Sequence, residues 1–207
     1  MPEIQALMVD VDGVLVTGRP QDGAHWQAGL AADLAVDTDA LNAGFFRPHW
    51  QAIVTGQADL RSRLAEALKR IAPHVSADRL IDYWFRHDAR LDVKLLSALA
   101  EVRRRGVPVH LATNQEHERM RYLLGTLGLA ARVDDWHCSA DLGCRKPDPA
   151  FFAAVQRRVG IEPAGLLLLD DTAENVHAAT ATGWHAVRWT GAKPLEETLK
   201  GYLSAHR

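Results

Sequence analysis

Leu166-Leu167-Leu168-Leu169 runs directly into Asp170-Asp171, and no other stretch limits the folds open to this chain so strongly. Four consecutive leucines carry neither the alternation of a half-wet strand nor the stripe of a surface helix. In context they read as a strand covered on both faces, the kind that a parallel sheet buries at its centre. The surrounding sequence supplies the rest of such a sheet. Ile4 to Val9 reads as a first strand, and Gly13 as the turn that stops it. Leu95, Leu99 and Val102 stripe a helix that ends at Gly106, and Val107 to Thr113 is the next strand. Met120, Leu123, Leu124 and Leu127 mark a helix closed by Gly128, and Asp135 to Ser139 a short strand. Asp148-Pro149 reads as an N-cap with proline at the first helical position, ahead of Phe151, Phe152, Val155 and Val159. A helix from Glu174 to Thr182 ends at Gly183 and Ala186 to Trp189 makes a last strand. Leu195, Leu199, Tyr202 and Leu203 stripe a last helix. Strands alternating with helices imply an α/β protein with a parallel, Rossmann-like sheet and helices on both faces.

Between Thr17 and Asp88 the pattern is helical throughout. Leu60, Leu64, Leu68 and Ile71 form one stripe, and Leu80, Ile81, Trp84 and Phe85 another, with Pro73 and Ser76 between them. Leu30, Leu34, Leu41 and Phe45 mark two weaker helices around Asp37-Thr38-Asp39, an N-cap cluster. The expected organisation is therefore a core of residues 1–16 and 89–207 with a helical insertion at 17–88.

Composition narrows the function. Of 207 residues, 47% are hydrophobic and 24% charged, and the net charge is -2, which gives no footprint for nucleic acid or an anionic membrane. The one basic run, Arg103-Arg104-Arg105, precedes Gly106 and reads as the last turn of a helix. The sequence as read suggests no signal peptide, and it has no apolar run long enough to span a bilayer. The two cysteines, Cys138 and Cys144, form no CxxC pair and no zinc pattern with the ten histidines. A reduced, cytoplasmic protein is the expectation, with Cys138 as a core thiol. His87 is expected in a structural role. The six tryptophans show no stacking platform by spacing and are expected in core or interdomain packing.

Ligand sites in open parallel sheets lie beyond the carboxyl ends of the strands. That rule gathers polar residues scattered along the sequence. Asp10 and Asp12 end the first strand on one face, Thr113-Asn114 end the second, Asp170-Asp171 end the leucine strand, and Lys146 stands in a loop before a capped helix. Two carboxylates side by side repel unless a cation sits between them, so Asp10 and Asp12 suggest a metal ion or a proton-transfer role. Each residue also has a plainer reading. Thr113 or Asn114 would cap the next helix, Asp171 with Glu174 fits a capping box, and Lys146 would be a solvated loop lysine.

Asp10-Val11-Asp12-Gly13, Thr113-Asn114, Arg145-Lys146-Pro147-Asp148 and Leu169 through Asn175 resemble, in order and spacing, the four motifs of the haloacid dehalogenase-like hydrolase superfamily. The helical insertion falls where that family places a cap domain. Trp84 to Asp92 and the Asp170-to-Asn175 motif also resemble the branch with glucose-1-phosphate phosphatases and epoxide hydrolase phosphatase domains. The resemblance implies an Mg2+-dependent phosphatase of small phosphate esters, sugar phosphates first. It makes Asp10 the nucleophile that becomes an aspartyl-phosphate and Asp12 the general acid and base. Mg2+ is implied on Asp10, the Asp12 main-chain carbonyl and Asp171. Thr113, the Asn114 backbone and Lys146 would bind the phosphoryl group, with Asp170 and Asn175 behind the metal. A phosphomutase shares these residues. A 2-haloacid dehalogenase usually carries tyrosine where Asp12 stands. A phospho-receiver, the non-enzymatic alternative, is shorter and lacks the insertion. Oligomeric state is not legible.

Overall fold

The computed structural model describes residues 4–202. Strands β1 (Ala6–Val9), β2 (Val109–Thr113), β3 (Asp135–Cys138), β4 (Leu166–Asp170) and β5 (His185–Arg188) form one sheet in the order β3-β2-β1-β4-β5. Every neighbouring pair is parallel. The leucine run lies against β1, Leu7 opposite Leu167 and Val9 opposite Leu169, and all four leucines are fully buried. Strand β2 starts two residues later than its apolar run suggests. Pro108 has no N–H to add to the ladder, and its carbonyl accepts from Leu7 N (2.9 Å) instead.

After β1 the chain makes a single antiparallel bridge, Val16 to Leu91, and everything described between those two residues is helix, turn or loop. A 3-10 turn at Trp26–Gly29 leads into α1 (Leu30–Leu34). Then come α2 (Thr38–Leu41), a π-helical segment at Asn42–Phe46 and α3 (Arg47–Val54). Helices α4 (Leu60–Ile71) and α5 (Ala77–His87) complete the insertion. Asp37, Asp59 and Ser76 cap α2, α4 and α5 through bonds from Ala40 N (2.7 Å), Ser62 N (2.8 Å) and Arg79 N (3.2 Å). The stripe that ends at Phe45 in sequence continues to Val54. Pro48 does not stop it: the helix runs through it from the π-helical segment, where Arg47 N bonds to Asn42 O across the wider turn. Leu30, Leu41, Phe45, Ile53, Leu64 and Leu68 centre a hydrophobic cluster distinct from those on the sheet.

The return strand of the bridge leads to α6 (Val93–Arg104), capped by Asp92 through Lys94 N (3.0 Å) and Leu95 N (2.9 Å). It packs on the face that holds Leu7, Val9, Leu111, Leu167 and Leu169, together with α7 (His117–Arg121) and the π-helical turn Tyr122–Thr126. Arg103 grips Asp134 with two bonds of 2.9 and 2.7 Å, and Arg105 is the C-cap. The basic run therefore belongs to a helix end. Helix α8 (Ser139–Leu142) starts at Ser139, which the sequence assigns to the preceding strand. On the opposite face α9 (Pro149–Val159) and α10 (Ala173–Ala181) cover Ala6, Met8, Ala112, Leu166 and Leu168 with Phe151, Phe152, Val155 and Ala179. Helix α11 (Leu195–Thr198) returns to the first face, and Leu203 of its expected stripe lies outside the described residues. No helix among the described residues is long and apolar enough to cross a membrane.

Candidate active site

Strands β1, β2 and β4 deliver their terminal polar residues to one place, and the centre of it is a buried ammonium. Lys146 is 1% exposed, and its Nζ lies 2.5 Å from Asp170 Oδ2 and 3.1 Å from Asp10 Oδ1. The solvated-loop reading of Lys146 is thus excluded. Burial works against its charge, but Asp10 and Asp170 outweigh it and hold the ammonium above its ordinary range. Asp170 is fully saturated: Asn175 Nδ2 donates to both oxygens (3.1 Å each) and Thr172 N to Oδ1 (2.9 Å). Burial pushes Asp10 up to about 7, a rise that Lys146 opposes and that Asp170 and Asp12 reinforce. Asp10 Oδ1 also accepts from Val11 N (2.8 Å).

Asp171 does not form a capping box. The N-cap of α10 is Thr172, and no side chain closes that end. Asp171 instead turns toward the β1 loop, where Gly13 holds φ +80° and a Cβ on it would stand 2.2 Å from Asp171 Oδ2. Glycine there creates the space that this carboxylate fills. Asp10, Asp170 and Asp171 each offer an oxygen within 4.8 Å of the others. Three carboxylates against one ammonium leave excess negative charge in a buried place, and hard oxygen donors of this kind suit a divalent cation such as Mg2+. The Asp12 carboxylate lies outside this trio.

Thr113 and Asn114 cap nothing, since α7 begins with Glu116 as its N-cap. Thr113 is 1% exposed and its Oγ1 has no partner, which costs about 1–3 kcal/mol unless a ligand supplies one. Asn114 clamps the Lys146 backbone with two bonds, Nδ2 to Lys146 O (2.9 Å) and Lys146 N to Oδ1 (2.8 Å). This positioning role of the Asn114 side chain is not visible in the sequence.

Two further residues escape sequence reasoning. Gln115 Nε2 donates to Asp12 Oδ2 (2.7 Å). Arg119, 1% exposed, donates to the carbonyls of Phe85 (3.3 Å) and Asp88 and lies 3.4 Å from Asp88 Oδ2 and 3.9 Å from Asp12 Oδ1. It binds the end of α5 to the core beside Asp12. The protein packed round Asp12 and the charge of Asp88 push its carboxyl upward, while Arg119 and Gln115 pull it down. With 52% of its side chain exposed, water in the cleft moderates that push.

Over Asp12 the insertion and the core enclose a cleft of about 500 Å³, a size suited to a metabolite. Its wall is aromatic. Trp26 stacks on Trp84 at 5.2 Å, Phe46 meets both edge-on at 6.0 and 5.6 Å, and Trp50 lies 5.7 Å from Phe46. Three of the six tryptophans thus line the site, where packing alone was expected. Asp12 and Asp88 carry the negative charge of the lining, which contains no lysine or arginine. His87 is structural, stacked on Tyr83 at 3.8 Å with Nδ1 bonded to Tyr83 O (2.7 Å). Cys138 is a buried thiol as expected, its Sγ 2.9 Å from Gln115 O.

The chain is similar to phosphoglycolate phosphatase of Rhodospirillum rubrum, 30% identical over 194 residues that cover 86% of this chain and 76% of that protein. It is 28% identical to the fructose-1-phosphate phosphatase YqaB of Escherichia coli, over 87% of this chain and 94% of that one. Phosphoserine phosphatase of Thermus thermophilus is 30% identical over 72% of this chain and 62% of that protein. Among solved structures, a HAD family enzyme of Bacteroides thetaiotaomicron in complex with magnesium and inorganic phosphate shares the fold. Its TM-score is 0.80, at 15% identity, covering 95% of this chain and 99% of that one. The model of the haloacid dehalogenase-like hydrolases matches residues 4–183, a span that takes in the acids of β1, the ends of β2 and β4, and Lys146. With that span matched from Asp10 to Asn175, the chain belongs to the haloacid dehalogenase-like hydrolase family.

Proposed function

We propose that this protein is an Mg2+-dependent phosphatase that hydrolyses a small phosphomonoester through an aspartyl-phosphate on Asp10. One observation carries the reading: the buried Asp10–Lys146–Asp170 chain, with Asp171 alongside, opens next to a buried Thr113 hydroxyl that lacks a partner. Asp10, Asp171 and the main-chain carbonyl of Asp12 would hold Mg2+, which offsets the charge between carboxylate and phosphate. Asp10 attacks phosphorus, and the bond from phosphorus to the leaving oxygen breaks. Asp12 gives that oxygen its proton, then takes one from the water that cleaves the phosphoaspartate and frees inorganic phosphate. Gln115 and Arg119 keep Asp12 aimed at the cleft. Thr113 Oγ1, the Asn114 backbone N–H and Lys146 hold the phosphoryl oxygens, and Asp170 with Asn175 fixes Lys146 from behind.

The cleft supports a neutral, ring-bearing leaving group. A carboxylated ester with no ammonium of its own, such as phosphoglycolate, would meet Asp12 and Asp88 with no lysine or arginine in the lining to receive it. A sugar phosphate lays an apolar ring face on the wall of Trp26, Phe46, Trp50 and Trp84. Residues 17–88 act as the cap over a core of residues 1–16 and 89–207, with the Val16–Leu91 bridge at the junction. Nucleic acid and membrane are not partners in this reading, and the two free cysteines accord with a cytoplasmic protein.

A panel of phosphate esters, run with Mg2+ and with EDTA, tests the proposal. Sugar phosphates should have higher kcat/KM than phosphoglycolate, and Trp50→Ala should raise KM for the sugar esters. EDTA should stop turnover of all of them. Carboxylated esters turned over best, or halide released from 2-haloacids faster than phosphate from any ester, would overturn it.

A further inference from the structure

The edge of the sheet farthest from β5 carries a second cluster of potential ligands. His110 on β2 stands opposite Asp135 on β3, and His137 follows two residues later on the same strand face. His110 is partly buried, His137 is 1% exposed and Asp135 is exposed. His110 Nδ1 lies 3.2 Å from His137 Nε2, and each of the three residues offers a ligand atom within 4.8 Å of the other two. None of these residues belongs to the catalytic cleft. Their neighbour Asp134 is committed elsewhere, to Arg103 and to Val109 N (2.8 Å).

A simple hydrogen bond between the rings would use one nitrogen of each. The same contact has a second physical meaning. Two imidazole nitrogens on one tetrahedral ion, each at about 2.0–2.1 Å, lie about 3.3–3.4 Å apart. The observed 3.2 Å is therefore close to what one bound ion imposes on both rings. Asp135 adds a carboxylate from the solvent side, where water can complete the coordination. The cation nearby on α9, Arg158, is turned to Asp141, its Nη2 donating to Asp141 O (3.3 Å).

We propose that His110, His137 and Asp135 form a binding site for a late first-row divalent ion, Zn2+ by donor set, separate from the Mg2+ site. Two imidazoles and a carboxylate favour such an ion over Mg2+, which prefers oxygen alone. The ion would clip edge strand β3 to β2. Both strands feed the functional end of the sheet: β2 ends in Thr113, and β3 leads to Ser139, whose Oγ donates to Val54 O (2.6 Å) of the insertion.

Co2+ is the probe, titrated into chelator-stripped full-length protein saturated with Mg2+, followed by visible absorption and calorimetry. One equivalent should bind with the visible bands of a four-coordinate ion and without thiolate charge-transfer bands, and Zn2+ should displace it. Asp135→Ala, at an exposed position that leaves the fold alone, should weaken Co2+ at least ~10-fold, the scale at which even outer-sphere partners act. His110→Gln should weaken it further, whereas Asp171→Ala should leave it unchanged. No Co2+ binding in the Mg2+-saturated protein would overturn the proposal. So would equal binding by Asp135→Ala and His110→Gln, or loss of the ion in Asp171→Ala.

Discussion

Gly13→Ala gives the sharpest test of how β1 and β4 build one site. Gly13 sits at φ +80°, and the methyl group of alanine would stand 2.2 Å from Asp171 Oδ2 and 2.6 Å from its Cγ. Carbon and oxygen pack without strain at roughly 3.4 Å or more, so the carboxylate must retreat by about 1 Å. The left-handed backbone adds roughly 1–2 kcal/mol for any residue with a Cβ. The stability cost is therefore modest, about 1–3 kcal/mol in all, and the chain still folds. The functional cost is larger in kind, because Asp171 no longer stands beside Asp10. Displacing a metal-site carboxylate should raise the Mg2+ concentration for half-maximal activity by ~10–100-fold. Urea unfolding gives the first quantity, and a Mg2+ titration of p-nitrophenyl phosphate turnover gives the second. A folded Gly13→Ala protein with wild-type Mg2+ dependence would show that Asp171 takes no part in holding the ion.

Lys146→Met strands the buried carboxylates of Asp10 and Asp170 without their cation, and unfolding in urea should show a loss of ~3–5 kcal/mol, partly restored by Mg2+. Asp12→Asn should lose ~10²–10⁴-fold in turnover of an alkyl phosphate and much less with p-nitrophenyl phosphate, whose leaving group departs without a proton. Equal losses on both substrates would remove Asp12 from the acid role. Cys138 is fully buried with its thiol pushed up to about 11, so iodoacetamide at mildly alkaline pH should modify it only after denaturation.

Sequence and structure agree at several places where the rule is local. Leu166 to Leu169 read as a strand buried on both faces, and all four are fully buried, while Asp37, Ser76 and Asp148 cap helices as their positions suggest. Strand ends read as a site because topology alone brings Asp10, Thr113 and Asp170 together. What stayed hidden depends on distance in space. Arg119 and Gln115 occupy a helix start and a loop with no spacing signature, and they matter only because Asp12 and Asp88 fold against them. Phe46 and Trp50 share a helical i, i+4 spacing, but Trp26 and Trp84 come from distant segments of the insertion and no period relates them to that pair. The plain reading of Asp171 as a capping box failed for a steric reason: Gly13 leaves a space that only a neighbouring side chain can use.

The central claim is that Asp10 forms the bond to phosphorus, and turnover by Asp10→Asn tests it most directly. The amide keeps the shape of the side chain and can still lie beside Lys146, so the variant should fold. With Mg2+ and p-nitrophenyl phosphate, where no leaving-group proton is needed, its kcat should fall to the uncatalysed background. A well-folded Asp10→Asn protein that retains near wild-type kcat would contradict the account.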